Sequence, residues 1–273
     1  MPLPKRDLPD FDAPPVVETL LGVQFSSTKQ FPTRLYTEYW KRIMSRFPFL
    51  ELQAPLPAVT EEFGRPQALA VGIQLFQGDD SRYWYIDESE TRLLQIQKDR
   101  FIHNWRRIKD EPYPHYDEDI RPRFEKEWLE FCSFLKEKGY DKPVVNQCEV
   151  TYVNHIEPEE DSTHVGDLSK VISCWSDTYS GHFLKQPETI TFNIRYVMPE
   201  NRGRLHIIGQ PVIRKRDAKQ VFQLNLTARG KPKSSEFPDI VEWLNLGREW
   251  IVRGFTDFTT SQMHKVWKRK EEL

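Results

Sequence analysis

Between Arg92 and Tyr116 the chain reads RLLQIQKDRFIHNWRRIKDEPYPHY, and its polar residues fall at chemically meaningful intervals. Gln95, Gln97 and Asp99 alternate with Leu94 and Ile96, so in an extended strand two amides and a carboxylate share one face. Arg100, Asn104 and Arg106 follow within the same segment. Amide and guanidinium groups held on a rigid strand suit recognition of planar polar groups, because their donors and acceptors are fixed in direction. The same residues would equally serve as the solvated side of a sheet, with an Arg–Asp pair pinning the strand end.

A second polar strip lies further along. Asn193 and Arg195 alternate with Ile190, Phe192, Ile194 and Tyr196, and Gln223, Asn225, Thr227 and Arg229 alternate with Phe222, Leu224 and Leu226. Asn, Gln, Thr and Arg on one sheet face also suit reading a nucleic-acid groove. Few apolar wedges share that face, however. The basic runs Arg214-Lys215-Arg216 and Lys265, Lys268, Arg269, Lys270 sit where solvated charge collects.

Other candidates are weaker. His103 and His155 titrate near neutrality in principle, but neither stands beside a nucleophile in a known motif. Glu157, Glu159, Glu160 and Asp161 precede His164, a composition able to hold a hard cation, yet the spacing fits neither an EF-hand nor a zinc helix. Gly230-Lys231 lacks the upstream glycine of a phosphate loop, and no GxSxG, dinucleotide fingerprint or Cys–His signature occurs. The sequence therefore calls for no metal or cofactor and leans away from an enzyme.

The elements that must position these strips repeat. VVETLLGVQF alternates as a strand, and Leu35, Tyr39, Ile43 and Phe47 form a helical stripe. Three strands follow, ALAVGIQLFQ, SRYWYIDE and RLLQIQKDRFIHNWRR, and then a helix from Pro122 to Lys138 stopped by Gly139. VNQCEVTYVNHI, a short helix DLSKVISCW, three more strands and a long helix from Pro238 restate the order. The fold class expected is α+β: an extended arm (1–15) and two β-α-β-β-β-α repeats (16–140 and 141–273) packed as one unit. Their strands would join in a curved antiparallel sheet with helices on one face, in the manner of TATA-binding-protein-like or helix-grip folds.

Several of these segments also carry a resemblance. PPVVETLLGVQF, LLQIQKDRFIHNWRR with YPHY, TYVNHI and GFTDFTTSQMHKVW resemble, nearly end to end, a family of uncharacterised, sporadically distributed prokaryotic proteins. QxQxDRFxxNWR…YPxY is its most specific part, matched here by Gln95, Gln97, Asp99, Arg100, Asn104, Trp105, Arg106, Tyr113 and Tyr116; Thr151 stands where the family usually has Arg. The resemblance implies an accessory role, as in host defence or a mobile element, and no particular chemistry.

At 273 residues, 38% hydrophobic and with a formal charge of -2, the chain can build a sizeable core and has no bulk attraction for phosphate backbones. No apolar run reaches the length of a membrane span. The N-terminal MPLPKRDLPDFDAPP has no apolar stretch of the secretory kind. Three cysteines (Cys132, Cys148, Cys174), odd in number and without a CxxC pair, read as small buried thiols and suit a reducing cytosol. The expectation is a cytoplasmic binding protein whose open sheet face, carrying Gln95, Gln97, Asp99, Arg100, Asn104, Arg106, Asn193, Arg195, Gln223, Asn225 and Arg229, engages a protein partner or small polar ligand. A nucleic-acid saddle is the alternative, and an enzyme site around Asp99, His103 and Arg106 the third reading.

Overall fold

The computed structural model describes residues 8–27, 31–64, 81–157, 168–175, 183, 187 and 189–270. Nine strands are β1 (Val16–Ser26), β2 (Phe49–Gln53), β3 (Arg82–Ile86), β4 (Arg92–Gln97), β5 (Arg100–Arg106), β6 (Val144–Ile156), β7 (Phe192–Val197), β8 (Arg204–Ile213) and β9 (Gln220–Gly230). The helices are α1 (Thr33–Ile43), α2 (Arg121–Glu137), α3 (Leu168–Val171), α4 (Phe237–Phe258) and α5 (Ser261–Val266). All nine strands form one antiparallel sheet in the order β2-β3-β4-β5-β1-β6-β9-β8-β7, so β1 and β6 meet at its centre.

Period-two alternation explains the two faces. Leu21, Val23 and Phe25 of β1, Phe101 and Trp105 of β5, Val150 and Tyr152 of β6 and Leu224, Leu226 and Ala228 of β9 point into one continuous apolar core. Helix α2 covers that side with Phe124, Trp128, Phe131 and Leu135, and α4 does so with Ile240, Leu244, Ile251 and Phe255, as their spacing predicts. Gly139, at φ 77°, takes the left-handed conformation that ends the α2 segment. The arm also packs down: Phe11 is buried edge-on against Phe255, and Asp12 and Ala13 donate to the Lys268 and Trp267 carbonyls.

Three expectations need correction. RLLQIQKDRFIHNWRR is not one strand but the hairpin β4–β5, with Gln97 opposite Arg100 across the two-residue turn Lys98-Asp99. Neither turn residue has positive φ, so the turn lacks the Asn-Gly or Asp-Gly signature that marks tight hairpins in a sequence. The turn resets the alternation: Gln95 and Gln97 before it share a face with Arg100, Asn104 and Arg106 after it, while Asp99 drops out of the strip into the turn. Second, Phe49–Gln53 forms a strand that the helical reading through Phe47 had left unassigned. Third, Cys174 is exposed, although all three thiols are free. The proposed strand ALAVGIQLFQ lies outside the described residues, as does the acidic cluster beyond Glu157.

Candidate functional site

Opposite the helices, cross-strand pairing assembles a single polar face. Gln97 pairs with Arg100, Arg100 with Gln24, Gln24 with Gln147, Glu149 with Arg229, and Arg229 with Arg204. One row along one end of the sheet therefore carries six amide or guanidinium residues and one carboxylate from β4 through β8. A second row places Gln95 beside Ile102, and Asn104 lies two residues further along β5. Asn225 faces Val153 and Ile208, Gln223 faces His155, and Asn193 and Arg195 continue the face onto β7.

The first-half strip is closed by its own hydrogen bonds. Arg82 and Trp84 of β3 donate to Gln95 Oε1 at 2.8 and 3.1 Å, Gln95 Nε2 donates to Asn104 Oδ1 at 2.8 Å, and Asn104 Nδ2 donates to Glu18 Oε1 at 2.6 Å. Four adjacent strands are thus linked side chain to side chain. Burial without such partners would cost several kcal/mol, roughly 1–3 for each unpaired group. Gln95, Gln97 and Asn104 are 5%, 3% and 1% exposed, so the expected hydrated surface is absent in this half. Burial also raises the Glu18 carboxyl above its ordinary range, against the lowering from Asn104 and the nearby Arg106 charge. Arg106 donates to the Glu90 carbonyl and lies over the Trp84 ring.

What covers the row at the sheet end is the chain itself. Residues 54–63, with no regular secondary structure, run across the strands as a strap. Gln97 Oε1 accepts from the Leu56 N–H at 2.9 Å and its Nε2 donates to the Leu56 carbonyl at 3.0 Å, so one side-chain amide engages both backbone groups of one residue. Arg100 donates to the Pro57 carbonyl at 2.9 Å. Gln24 Oε1 accepts from the Val59 N–H at 3.3 Å. Gln147 accepts from the Glu61 N–H at 3.2 Å and donates to the Val59 carbonyl. The Glu61 carboxylate, 4% exposed, then meets Arg204 at 2.6 Å, His206 at 2.7 Å and Arg229 at 3.5 Å. The Arg204 guanidinium also donates to the Glu62 carbonyl and lies 4.4 Å from the Phe63 ring centre.

The strap thereby touches β4, β5, β1, β6, β9 and β8 in spatial order. Six residues of extended chain span roughly 20 Å, close to the five interstrand spacings of about 24 Å. The long side chains of Gln97 and Arg204 reach across the remainder. Hydrogen bonds to His206 and Arg204 and the charge of Arg229 outweigh burial and hold the Glu61 carboxyl down at about 2.

The second half of the same face is less satisfied. Thr151 and Thr227 share a hydroxyl contact of 2.9 Å, and His155 Nε2 lies 3.2 Å from Gln223 Oε1. Among the described residues, Asn225 Oδ1 and His155 Nδ1 are buried with no hydrogen-bond partner, as are Arg82 Nε and Arg106 Nε in the first half. Asn193 is exposed and Arg195, Gln223, Asn225 and Arg229 half-buried.

His103, read as a shuttle in the groove with Asp99 and Arg106, points to the opposite, helix-covered side and is buried; desolvation pushes its imidazole down to about 3. Asp99, in the turn, accepts from Gln97 at 2.6 Å and supports the clamp from behind. Within the basic tip, Arg214 is buried and pairs with Asp217 at 2.6 Å and Glu157 at 2.7 Å. Tyr113 and Tyr116 lie on the core side, where Tyr113 meets the Tyr152 hydroxyl and Tyr116 donates to Asn245. No described helix is long and apolar enough to cross a membrane, and no described group of three or more carboxylate, His or Cys residues could hold a metal.

Sequence reasoning placed the polar strips on one face but missed the strap and its partners Gln24, Gln147, Arg204, His206 and Glu61. The only local signal was that Gln24 and Gln147 alternate with Val23, Phe25 and Cys148. No family model matches the chain, and no curated protein matches it.

Proposed function

We propose that the protein is a binding module that recognises an extended polypeptide segment on the polar face of its sheet. The observation that carries this reading is the strap: Gln97 and Gln147 grip its backbone N–H and C=O groups, which every peptide presents, while Arg204, His206 and Arg229 read one acidic side chain. Backbone contacts of this kind supply affinity and side-chain pockets supply specificity. On the second half of the face, Asn225 Oδ1 and His155 Nδ1 lack a partner among the described residues and are of the type that backbone N–H donors satisfy. Of the partners expected from the sequence, a protein segment fits best. Nucleic acid fits poorly, because Arg100, Arg204 and Arg229 are already committed to acceptors within the chain.

The strand order supports a doubled unit, in which β1, β5, β4 and β3 with α2 correspond to β6, β9, β8 and β7 with α4. On that reading the first copy closed its polar face internally and the second kept its face for a partner. An accessory role, in defence or a mobile system, is compatible with a module that binds and does no chemistry of its own.

Selection of a random displayed-peptide library against the full chain tests the reading. Peptides should enrich, and their affinity should fall about tenfold or more in the Gln223→Ala/Asn225→Ala double variant, since two directed hydrogen bonds are removed. No enrichment above an unrelated control protein, or enrichment indifferent to the double variant, would sink it.

A further inference from the structure

Glu61 sits where a ligand carboxylate would sit. Its three cationic or imidazole partners come from β8 and β9, whereas the residue itself belongs to a strap 140 positions earlier in the chain, and the aromatic Phe63 two residues on covers the Arg204 guanidinium. The strap holds no ladder hydrogen bonds; Pro57, Ala58, Thr60 and Glu62 are exposed, and its apolar residues Pro55, Leu56, Val59 and Phe63 are half-buried, none of them fully. Segments attached in this way open at a fraction of the global unfolding cost. The receiving side, by contrast, is rigid: Arg204 and Arg229 are opposite residues on two core strands, and Arg229 is braced by Glu149 at 2.6 Å.

We propose that residues 54–63 are an internal occupant of a peptide groove, and that the groove's partner is an extended peptide bearing a carboxylate and, two residues later, an aromatic side chain. This rests on the peptide-binding reading above and adds to it the identity of the side chains read and the fact of competition. The partner's carboxylate enters the Arg204, His206 and Arg229 box, its aromatic ring stacks on Arg204, and Gln97 and Gln147 transfer their backbone contacts from the strap to the incoming chain. Because the strap occupies the groove in cis, the free protein presents only a small competent fraction, and apparent affinity is reduced by that fraction.

The test uses a fluorescent peptide with the sequence of residues 54–63, APLPAVTEEF, and anisotropy with the full chain. Wild type should bind it weakly. The Glu61→Ala chain, whose own strap has lost its anchor, should bind about thirtyfold more tightly. Binding should be lost when the peptide carries Ala at the position of Glu61, and Arg204→Ala added to Glu61→Ala should return affinity to the wild-type level. A cooperatively folded Glu61→Ala chain that binds no better than wild type, or binds the Ala-bearing peptide equally well, overturns the proposal. Should Glu61→Ala not fold, amide exchange on the wild type decides: Val59 and Glu61 must exchange well before β1 and β6, and equal protection overturns it. If library peptides select the open half-face while the strap peptide binds neither chain, the competition fails and the peptide-binding reading stands.

Discussion

The two halves of the polar face are built from the same residue types and are used differently. Across β3, β4, β5 and β1 the amides Gln95 and Asn104 are buried and joined by hydrogen bonds from Arg82 and Trp84 through to Glu18, with Arg82 Nε and Arg106 Nε the buried atoms left without a partner among the described residues of that strip. Across β6, β9 and β8 the row under the strap is paired through Glu61, Glu149, Arg204 and Arg229, while further along Asn225 Oδ1 has no partner among the described residues. A buried amide loses most when its partners are removed. Gln95 and Asn104, buried and doubly engaged, are therefore structural, whereas Asn225 has an acceptor that an incoming donor could engage. Asn104 and Asn225 occupy corresponding strands of the proposed repeat, so the contrast is one of partners and not of composition.

The largest expected effect follows from breaking the closed half. Asn104→Ala leaves the Gln95 Nε2 donor and the Glu18 carboxylate without their partner and should cost about 3 kcal/mol, a Tm loss of several degrees in a chain of this size. Asn225→Ala should stay within about 0.5 kcal/mol. Thermal melts of the two variants side by side check this, and equal losses would erase the distinction. Next in size is Glu61→Ala, which removes the carboxylate shared by buried Arg204, His206 and Arg229 and should cost about 2 kcal/mol. Its carboxyl is depressed in the folded state, so the stability it supplies is complete above the ordinary carboxylate range and disappears as pH falls towards 2. The gap between wild type and Glu61→Ala should therefore hold from neutrality to about pH 4.5 and close below it.

The smallest effect has the opposite sign. Glu18 is raised by burial, so the native state takes up its proton before the unfolded chain does, and acidification towards the ordinary carboxylate range favours folding at this site. Glu18→Gln keeps an acceptor for Asn104 and removes the charge. It should be stabilising by about 0.5 kcal/mol at pH 7, with the gain shrinking as pH is lowered; denaturant midpoints at a series of pH values measure it. A loss at pH 7 would mean that Arg106 compensates the buried charge.

Much of the framework was legible because it is periodic. Leu94 and Ile96, Phe222, Leu224 and Leu226, and the α2 and α4 stripes announce one apolar and one polar side. The hairpin at Lys98-Asp99 was not, since a turn with ordinary φ leaves no glycine or asparagine behind. Nor was the strap: Pro55 to Phe63 has no period, and each contact it makes is with a residue far away in sequence, such as Glu61 with Arg204. Alternation identifies which residues share a face but is silent on what lies over it, and so it cannot distinguish a wet surface from a buried network.

Backbone and side-chain amide shifts of the labelled full chain, followed during titration with a peptide selected on it, examine the peptide-binding claim most directly. The account predicts the strongest changes along the outward positions of β6 and β9, with the Asn225 side-chain amide among them. Changes confined to the outer surfaces of α2 and α4, leaving those strands untouched, would contradict it.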